Sequence, residues 1–281
     1  MDSRQFIINN IMIDFHNHII PNIDDGAKSL DMSIEMLQEA QRQGISDVVS
    51  TIHFQHPKMD GKNTDYSFVS AKYLELKKAL SENDIKINIH LGAEVFYLPN
   101  LTSILDNPLV TVGNGNFMLI EFQTKKLPPN YLEELFKLQK HKITPIIAHP
   151  ERYYEVQQNI DIAQDWLNRG FVLQLDCGSL LGHFGSKCEK ISMELLDKGY
   201  VQLLGSDAHN NKTRNFCLKP AYDKIESLFG LNYVAELQNN SSLLLEGKCL
   251  QIIESANVLD NEKMELTKKN RFMNFIMGRR K

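Results

Sequence analysis

The chain has 281 residues, 42% hydrophobic and 23% charged, with a formal net charge of -4 at pH 7. This balance excludes a disordered chain and gives no electrostatic footing for nucleic acid. No apolar run approaches the ~20 residues needed to span a bilayer, and residues 1–10 lack the pattern of a secretion signal, so a cytoplasmic protein is expected.

Residues 1–10 read as an N-terminal extension. The apolar run Ile11-Met12-Ile13 is a short strand leading into Asp14-Phe15-His16-Asn17-His18. Side chains alternate along a strand, so His16 and His18 are expected to emerge together at its C-terminal end. A loop, Pro21 to Gly26, precedes a helix over 29–43, with Ile34, Leu37 and Ala40 on one face and Gly44 as its stop. A strand over 47–51 ends at His53, and a helix follows over 66–80. The strand over 85–91 closes on Gly92-Ala93-Glu94. A Pro/Asn/Gly-rich stretch, 98–116, carries a short helix at 101–105, then the strand 117–122 bears Glu121. Next come a helix over 131–141 and a strand over 143–148, followed at once by His149-Pro150-Glu151-Arg152. The helix 160–169, the strand 171–175, the turn Cys177-Gly178-Ser179 and the helix 188–198 lead to a last strand, 201–204. Gly205-Ser206-Asp207-Ala208-His209 follows, and the rest reads as helical to about Gly247.

Strand and helix alternate seven times, which implies parallel strands joined by right-handed crossovers. A seven-unit α/β barrel fits better than an open doubly wound sheet, because in a barrel the polar strand ends converge on one mouth. One barrel domain is expected over 11–260, with a basic tail over 261–281. The residues collected at the mouth are His16, His18, Asp25, His53, Glu94, Glu121, His149, Asp207 and His209. Five imidazoles and four carboxylates exceed one zinc site and suit two or three divalent ions, such as Mn, Fe or Zn. Such a cluster stays net positive and matches a phosphate monoester. Arg152 and Arg214 lie near the mouth and can each fork onto phosphate oxygens.

The ordered set of Asp14-Phe15-His16-Asn17-His18, Ile23-Asp24-Asp25-Gly26, Gly92-Ala93-Glu94, Ile120-Glu121-Phe122, His149-Pro150-Glu151-Arg152 and Gly205-Ser206-Asp207-Ala208-His209 resembles the polymerase-and-histidinol-phosphatase (PHP) superfamily. More closely, it resembles the bacterial tyrosine-protein phosphatases of the CpsB/CapC/YwqE type. The resemblance implies a distorted (β/α)7 barrel of the PHP type and three divalent metal ions, Mn²⁺ favoured. It also implies a phosphotyrosine substrate on the tail of a membrane-bound tyrosine kinase of capsule or exopolysaccharide synthesis. Carried over by motif, His16, His18, Glu94 and Asp207 hold a first ion. Glu94, Glu121 and His149 hold a second, and Asp25, His53 and His209 a third. Arg152 and Arg214 match the phosphate-binding arginines, and His209 is a candidate proton donor. The alternatives are a histidinol phosphatase or other small phosphomonoesterase and, in another class, a non-catalytic metal-binding module.

Two motifs depart from the family. Thr51-Ile52-His53-Phe54 lacks the second histidine of Thr-Pro-His-His, unless His56 substitutes, and Asp176-Cys177-Gly178-Ser179 replaces Asn-Ala-Gly-Ser. Blander readings hold elsewhere. Asp24 is a turn residue or a supporting acceptor. His90 is a satisfied core histidine, and His56, His141 and His183 are solvated. Glu151 either orients Arg152 or sits in a turn. The scattered Cys177, Cys188, Cys217 and Cys249 are free thiols, none of which opens a Cys-x5-Arg phosphate loop. The segment 267–281 carries six positive charges and no acid, so it is either a frayed or packed tail or a peripheral contact with anionic lipid.

Overall fold

A computed structural model of the chain describes residues 11–59, 61–113, 115–251 and 253. The N-terminal extension and the basic tail lie outside the described residues. The strands are β1 (Met12–Asp14), β2 (Ile45–Phe54), β3 (Asn88–Phe96), β4 (Phe117–Glu121), β5 (Thr144–Ala148), β6 (Val172–Asp176) and β7 (Leu203–Gly205). They form one seven-stranded sheet in sequence order, with every pairing parallel. β1 and β7 share no ladder. Just past their ends, however, a parallel bridge joins Asn17 to Ala208. There the His18 N–H donates to the Ala208 carbonyl (2.8 Å), and the Asp207 N–H to that of His16 (2.6 Å). The result is the expected distorted barrel, closed by its mouth rather than by its walls.

Strand alternation explains the contents of the barrel. Ile13, Phe15, Val49, Phe117, Leu119, Ile146, Val172 and Leu203 pack inside it, with Val112 and Leu244 among them. They fill the interior, leaving a cavity of about 10 Å³. On the same strand faces, two or four residues further on, stand His53, Glu121 and Asp176. Each strand therefore places apolar residues low and a polar one at the top.

The outer faces of the strands pack against the helices. These are α1 (Leu30–Arg42), α2 (Tyr66–Glu82), α3 (Tyr131–Lys140), α4 (Tyr154–Gln158), α5 (Asp161–Asn168), α6 (Cys177–Leu180), α7 (Ser186–Asp197), α8 (Leu218–Phe229) and α9 (Leu231–Leu245). Side chains cap the first two at their N-termini: Ser29 accepts from the Met32 N–H, and Asp65 accepts from Ser67 and Phe68.

Several elements differ from expectation. β1 stops at Asp14, so His16 and His18 lie on its extension, beside Ala208. β2 and β3 run further, through His53 and Glu94, because they pair without interruption from Asp47–Asn88 to Phe54–Val95. α4 and α6 were not expected, since helices this short carry no readable period. The C-terminal helical stretch breaks at Gly230, whose φ of 88° is left-handed.

Gly205 sits where β7 meets His16. A Cβ there would lie 2.4 Å from the His16 Cβ and 2.7 Å from Gln174 Nε2. Gly205→Ala is therefore expected to lower stability by about 1–3 kcal/mol through overpacking. Thermal unfolding checks this, and an unchanged melting temperature would contradict the close approach.

Candidate metal centre

The imidazoles are oriented before any ion is considered. His16 Nδ1 lies 2.8 Å from Gln174 Oε1, His18 Nδ1 2.8 Å from Asp24 Oδ2, and His209 Nδ1 2.9 Å from the Asp207 carbonyl. Each partner is an acceptor, so each Nδ1 carries the proton and each Nε2 keeps its lone pair. Asp24 is thus the supporting acceptor. It also takes the backbone N–H groups of Gly26 (3.0 Å) and His53 (2.9 Å). Burial opposes its charge, but His18 and these bonds hold its carboxyl down at about 2. Asp14 ties the seam together, accepting from the N–H groups of His16 (3.1 Å) and Ser206 (3.0 Å).

The nine expected residues converge in four overlapping groups, with the donor atoms of each group within 4.8 Å of one another. The groups are His16/His18/Asp207, His16/Glu94/His149, His53/Glu94/Glu121 and His18/Asp25/His53/His209. Glu94 is central. Its Oε2 lies 3.1 Å from both His16 Nε2 and His53 Nδ1, and its Oε1 lies 3.0 Å from His149 Nε2. Asp207 Oδ1 is 3.5 Å from His16 and 3.4 Å from His18, and Asp25 Oδ1 is 3.3 Å from His53. His16, His18 and His53 each belong to two groups, whereas the family pattern gives each a single ion.

This donor set fits divalent cations. His16 Nε2, His18 Nε2, His53 Nδ1 and Glu121 Oε2 are buried without a hydrogen bond. They are nitrogen and oxygen donors aimed into one space, as mixed-ligand sites require. The protein's own charges are correspondingly frustrated. Burial and the Glu94 carboxylate push Glu121 up to about 8. Burial and Arg152 push His149 down to about 4. Burial and the His18 charge oppose protonation of His53, yet Glu94 and Asp25 push that ring up to about 10.

Two of the nine have left-handed backbone, His149 (φ 34°) and Asp207 (φ 46°). Such strain in non-glycine residues concentrates at functional sites. The 3₁₀ turn Pro150–Arg152 follows His149 and carries Arg152 over the mouth. Arg152 Nη1 and Arg214 Nη2 both donate to Asp207 Oδ2 at 2.7 Å, and Arg152 also pairs with Asp176. Asp207 therefore faces the imidazoles with Oδ1 and the guanidiniums with Oδ2. The Phe184 ring supports both arginines, its centroid 3.9 Å from the Arg152 Cζ and 5.5 Å from that of Arg214.

Sequence reasoning missed Gln174, Asp14 and Phe184. Gln174 was within reach, since it shares a strand face with Asp176; Phe184 sits in a loop and gives no periodic signal. His56 corrects an expectation. Rather than being solvated, it lies among the site residues, its ring 4.8 Å from that of His53 and its Nε2 3.9 Å from Glu121. His90 pairs with Asp47 (2.9 Å) and is partly exposed rather than in the core. His141 and His183 are exposed. Glu151 is buried 4.0 Å from the Arg152 Nε, and burial pushes its carboxyl up to about 7. The Gly178 N–H donates to Asp176 (2.7 Å), and Cys177 is a buried free thiol. A cleft of about 170 Å³ lies over the cluster, walled by Asp25, His149, Arg152, Asp207, His209 and Arg214 among others.

A family model described as capsular polysaccharide synthesis, CpsB/CapC, matches residues 12–246. The chain belongs to the CpsB/CapC family. It is 35% identical over 241 residues to the tyrosine-protein phosphatase YwqE of Bacillus subtilis, covering 85% of this chain and 93% of that one. It is 29% identical over 232 residues to the tyrosine-protein phosphatase CpsB of Streptococcus pneumoniae, covering 80% and 94%. A solved structure from work on YwqE and CpsB, described as metal-dependent tyrosine phosphatases, superposes with a TM-score of 0.81. It is 32% identical, and the match covers 87% of this chain and 99% of that one. Among the described residues, no helix is long and apolar enough to cross a membrane.

Supporting residues of this kind typically change metal affinity 10–100-fold. Asp24→Asn, which loses the charge and sets an amide NH2 against one of the donors that Asp24 now accepts, is expected to weaken metal binding by about that factor. Metal titration by calorimetry checks this; unchanged affinity would mean that Asp24 serves only the turn.

Proposed function

We propose that the chain is a metal-dependent phosphomonoesterase that hydrolyses phosphotyrosine in proteins. The observation that carries this reading is the overlap of nine nitrogen and oxygen donors with two arginines above them, in a family whose relatives are named tyrosine-protein phosphatases. In this reading His16, His18, Glu94 and Asp207 hold one ion, Glu94, Glu121 and His149 a second, and Asp25, His53 and His209 a third. Mn²⁺ is favoured, with Fe or Zn as substitutes. Bound there, the ions would supply Lewis-acid charge and an activated water.

The chain's own groups do the rest. Arg152 and Arg214 share the cleft and bind the non-bridging phosphoryl oxygens, while Asp207 and Phe184 hold their planes ready. His209 has its Nδ1 tied to the Asp207 carbonyl, so only Nε2 faces the cleft, as a ligand or as proton carrier to the leaving oxygen. A tyrosine oxygen, with a reference pKa of ~10, leaves without a strong acid, unlike a serine alkoxide. The substrate in this reading is the tail of a membrane-bound tyrosine kinase, met in the cytoplasm, with regulation of capsule or exopolysaccharide synthesis as the outcome. The basic tail would add a peripheral contact with anionic lipid. The relatives do not favour the histidinol-phosphatase alternative. The convergence of all nine candidate donors in overlapping groups supports a catalytic reading over a non-catalytic module.

Assaying the Mn²⁺-loaded protein in parallel on phosphotyrosine peptide, phosphoserine peptide and histidinol phosphate tests this. Phosphotyrosine is expected to be cleaved at least tenfold faster than either alkyl ester, and chelation should abolish the activity until Mn²⁺ is restored. A preference for histidinol phosphate, or full activity in metal-free protein, would overturn the proposal.

A further inference from the structure

Beside the metal cleft lies a second cavity of about 410 Å³. The two share His56, Lys58 and Glu121 as walls, so they adjoin. The other large cavities share no lining residue with the cleft. The floor of this groove is apolar, made by the buried Phe96 and Phe122. His56 stands edge-on to Phe96, with ring centroids 4.7 Å apart, which fixes the wall between cleft and groove. The rim is basic. Lys58 and Lys125 are both exposed, and neither side chain has an ion-pair partner among the described residues. Among the described residues the one acid in the lining is Glu121, itself one of the candidate metal ligands.

At about 170 Å³ the cleft is on the scale of a phosphoryl group and an aromatic ring and too small for the peptide that bears them. The chain next to the phosphotyrosine would therefore leave the cleft, and the groove is the large cavity that adjoins it. Resting on the phosphotyrosine reading above, we propose that this groove receives the residues flanking the phosphotyrosine and selects an acidic side chain through Lys125, with Lys58 at the junction. With no ion-pair partner among the described residues, the two lysines are placed to attract an acid. The apolar floor takes the aliphatic part of the same segment. Exposed ion pairs are individually weak and screened by salt, so the selection is modest and salt-dependent.

The test compares catalytic efficiency on free phosphotyrosine and on three phosphotyrosine peptides that differ only in having Glu, Gln or Lys at the flanking positions. Wild-type protein is expected to favour the Glu peptide over the Gln peptide by about two- to fivefold at low salt. Lys125→Gln should erase the preference and Lys125→Glu should turn it toward the Lys peptide, while free phosphotyrosine is cleaved equally by all three proteins. Equal efficiency of the wild type on all peptides, or an acidic preference retained by Lys125→Glu, overturns the groove assignment alone. Failure of the Mn²⁺-loaded wild type to cleave any phosphotyrosine substrate overturns the phosphatase reading and this inference with it.

Discussion

The seam between β1 and β7 is the constraint on which the rest of the structure depends. Too short to pair along their length, the two strands close the barrel beyond their ends, through the backbones of His16, His18, Asp207 and Ala208. Three of those four residues, His16, His18 and Asp207, are candidate metal ligands. Closing the barrel and assembling the centre are therefore one event, and the buried Asp14 carboxylate, accepting from both sides, fastens it. The left-handed backbone of Asp207 is the strain this arrangement carries.

Electrostatics make the same point independently. Glu94 and Asp207 are buried carboxylates, and burial alone would disfavour their charge. For Glu94 the surrounding imidazoles, and for Asp207 the Arg152 guanidinium followed by the imidazoles, outweigh burial and hold the carboxyl well below its usual range. Buried charges persist only when paired. A carboxylate shared among several imidazoles is a weak arrangement for stability and a strong one for cations, because bound metal would take the place of the protons the cluster otherwise shares. The arginines add direction, since both approach Asp207 from the side away from the imidazoles.

Much of this was legible in the sequence because His53, Glu121 and Asp207 end or follow apolar runs of readable length. A polar residue at the end of such a run has few places to go in a parallel barrel. What the sequence hid was whatever depends on the chain folding back. The full lengths of β2 and β3 follow from their mutual register, which one strand's pattern does not encode. His56 lies past the end of β2, and its return toward Glu121 is set by the loop, not by any period. Phe184 is likewise brought to the arginines from a loop between α6 and α7. The one-turn helix α6 begins at Cys177 because Asp176 caps it, a local bond that looks like any other turn in the sequence.

The central claim is that the convergent donors form one shared metal cluster and not separate sites. Elemental analysis of metal bound per chain, in wild type and in Glu94→Gln, tests it most directly. Glu94 belongs to two of the four donor groups and lies 3.5 Å from His18, which belongs to the other two. The account predicts three ions in the wild type and the loss of more than one on this single substitution. Full retention of metal by the variant, or loss of one ion with the others bound unchanged, would contradict it.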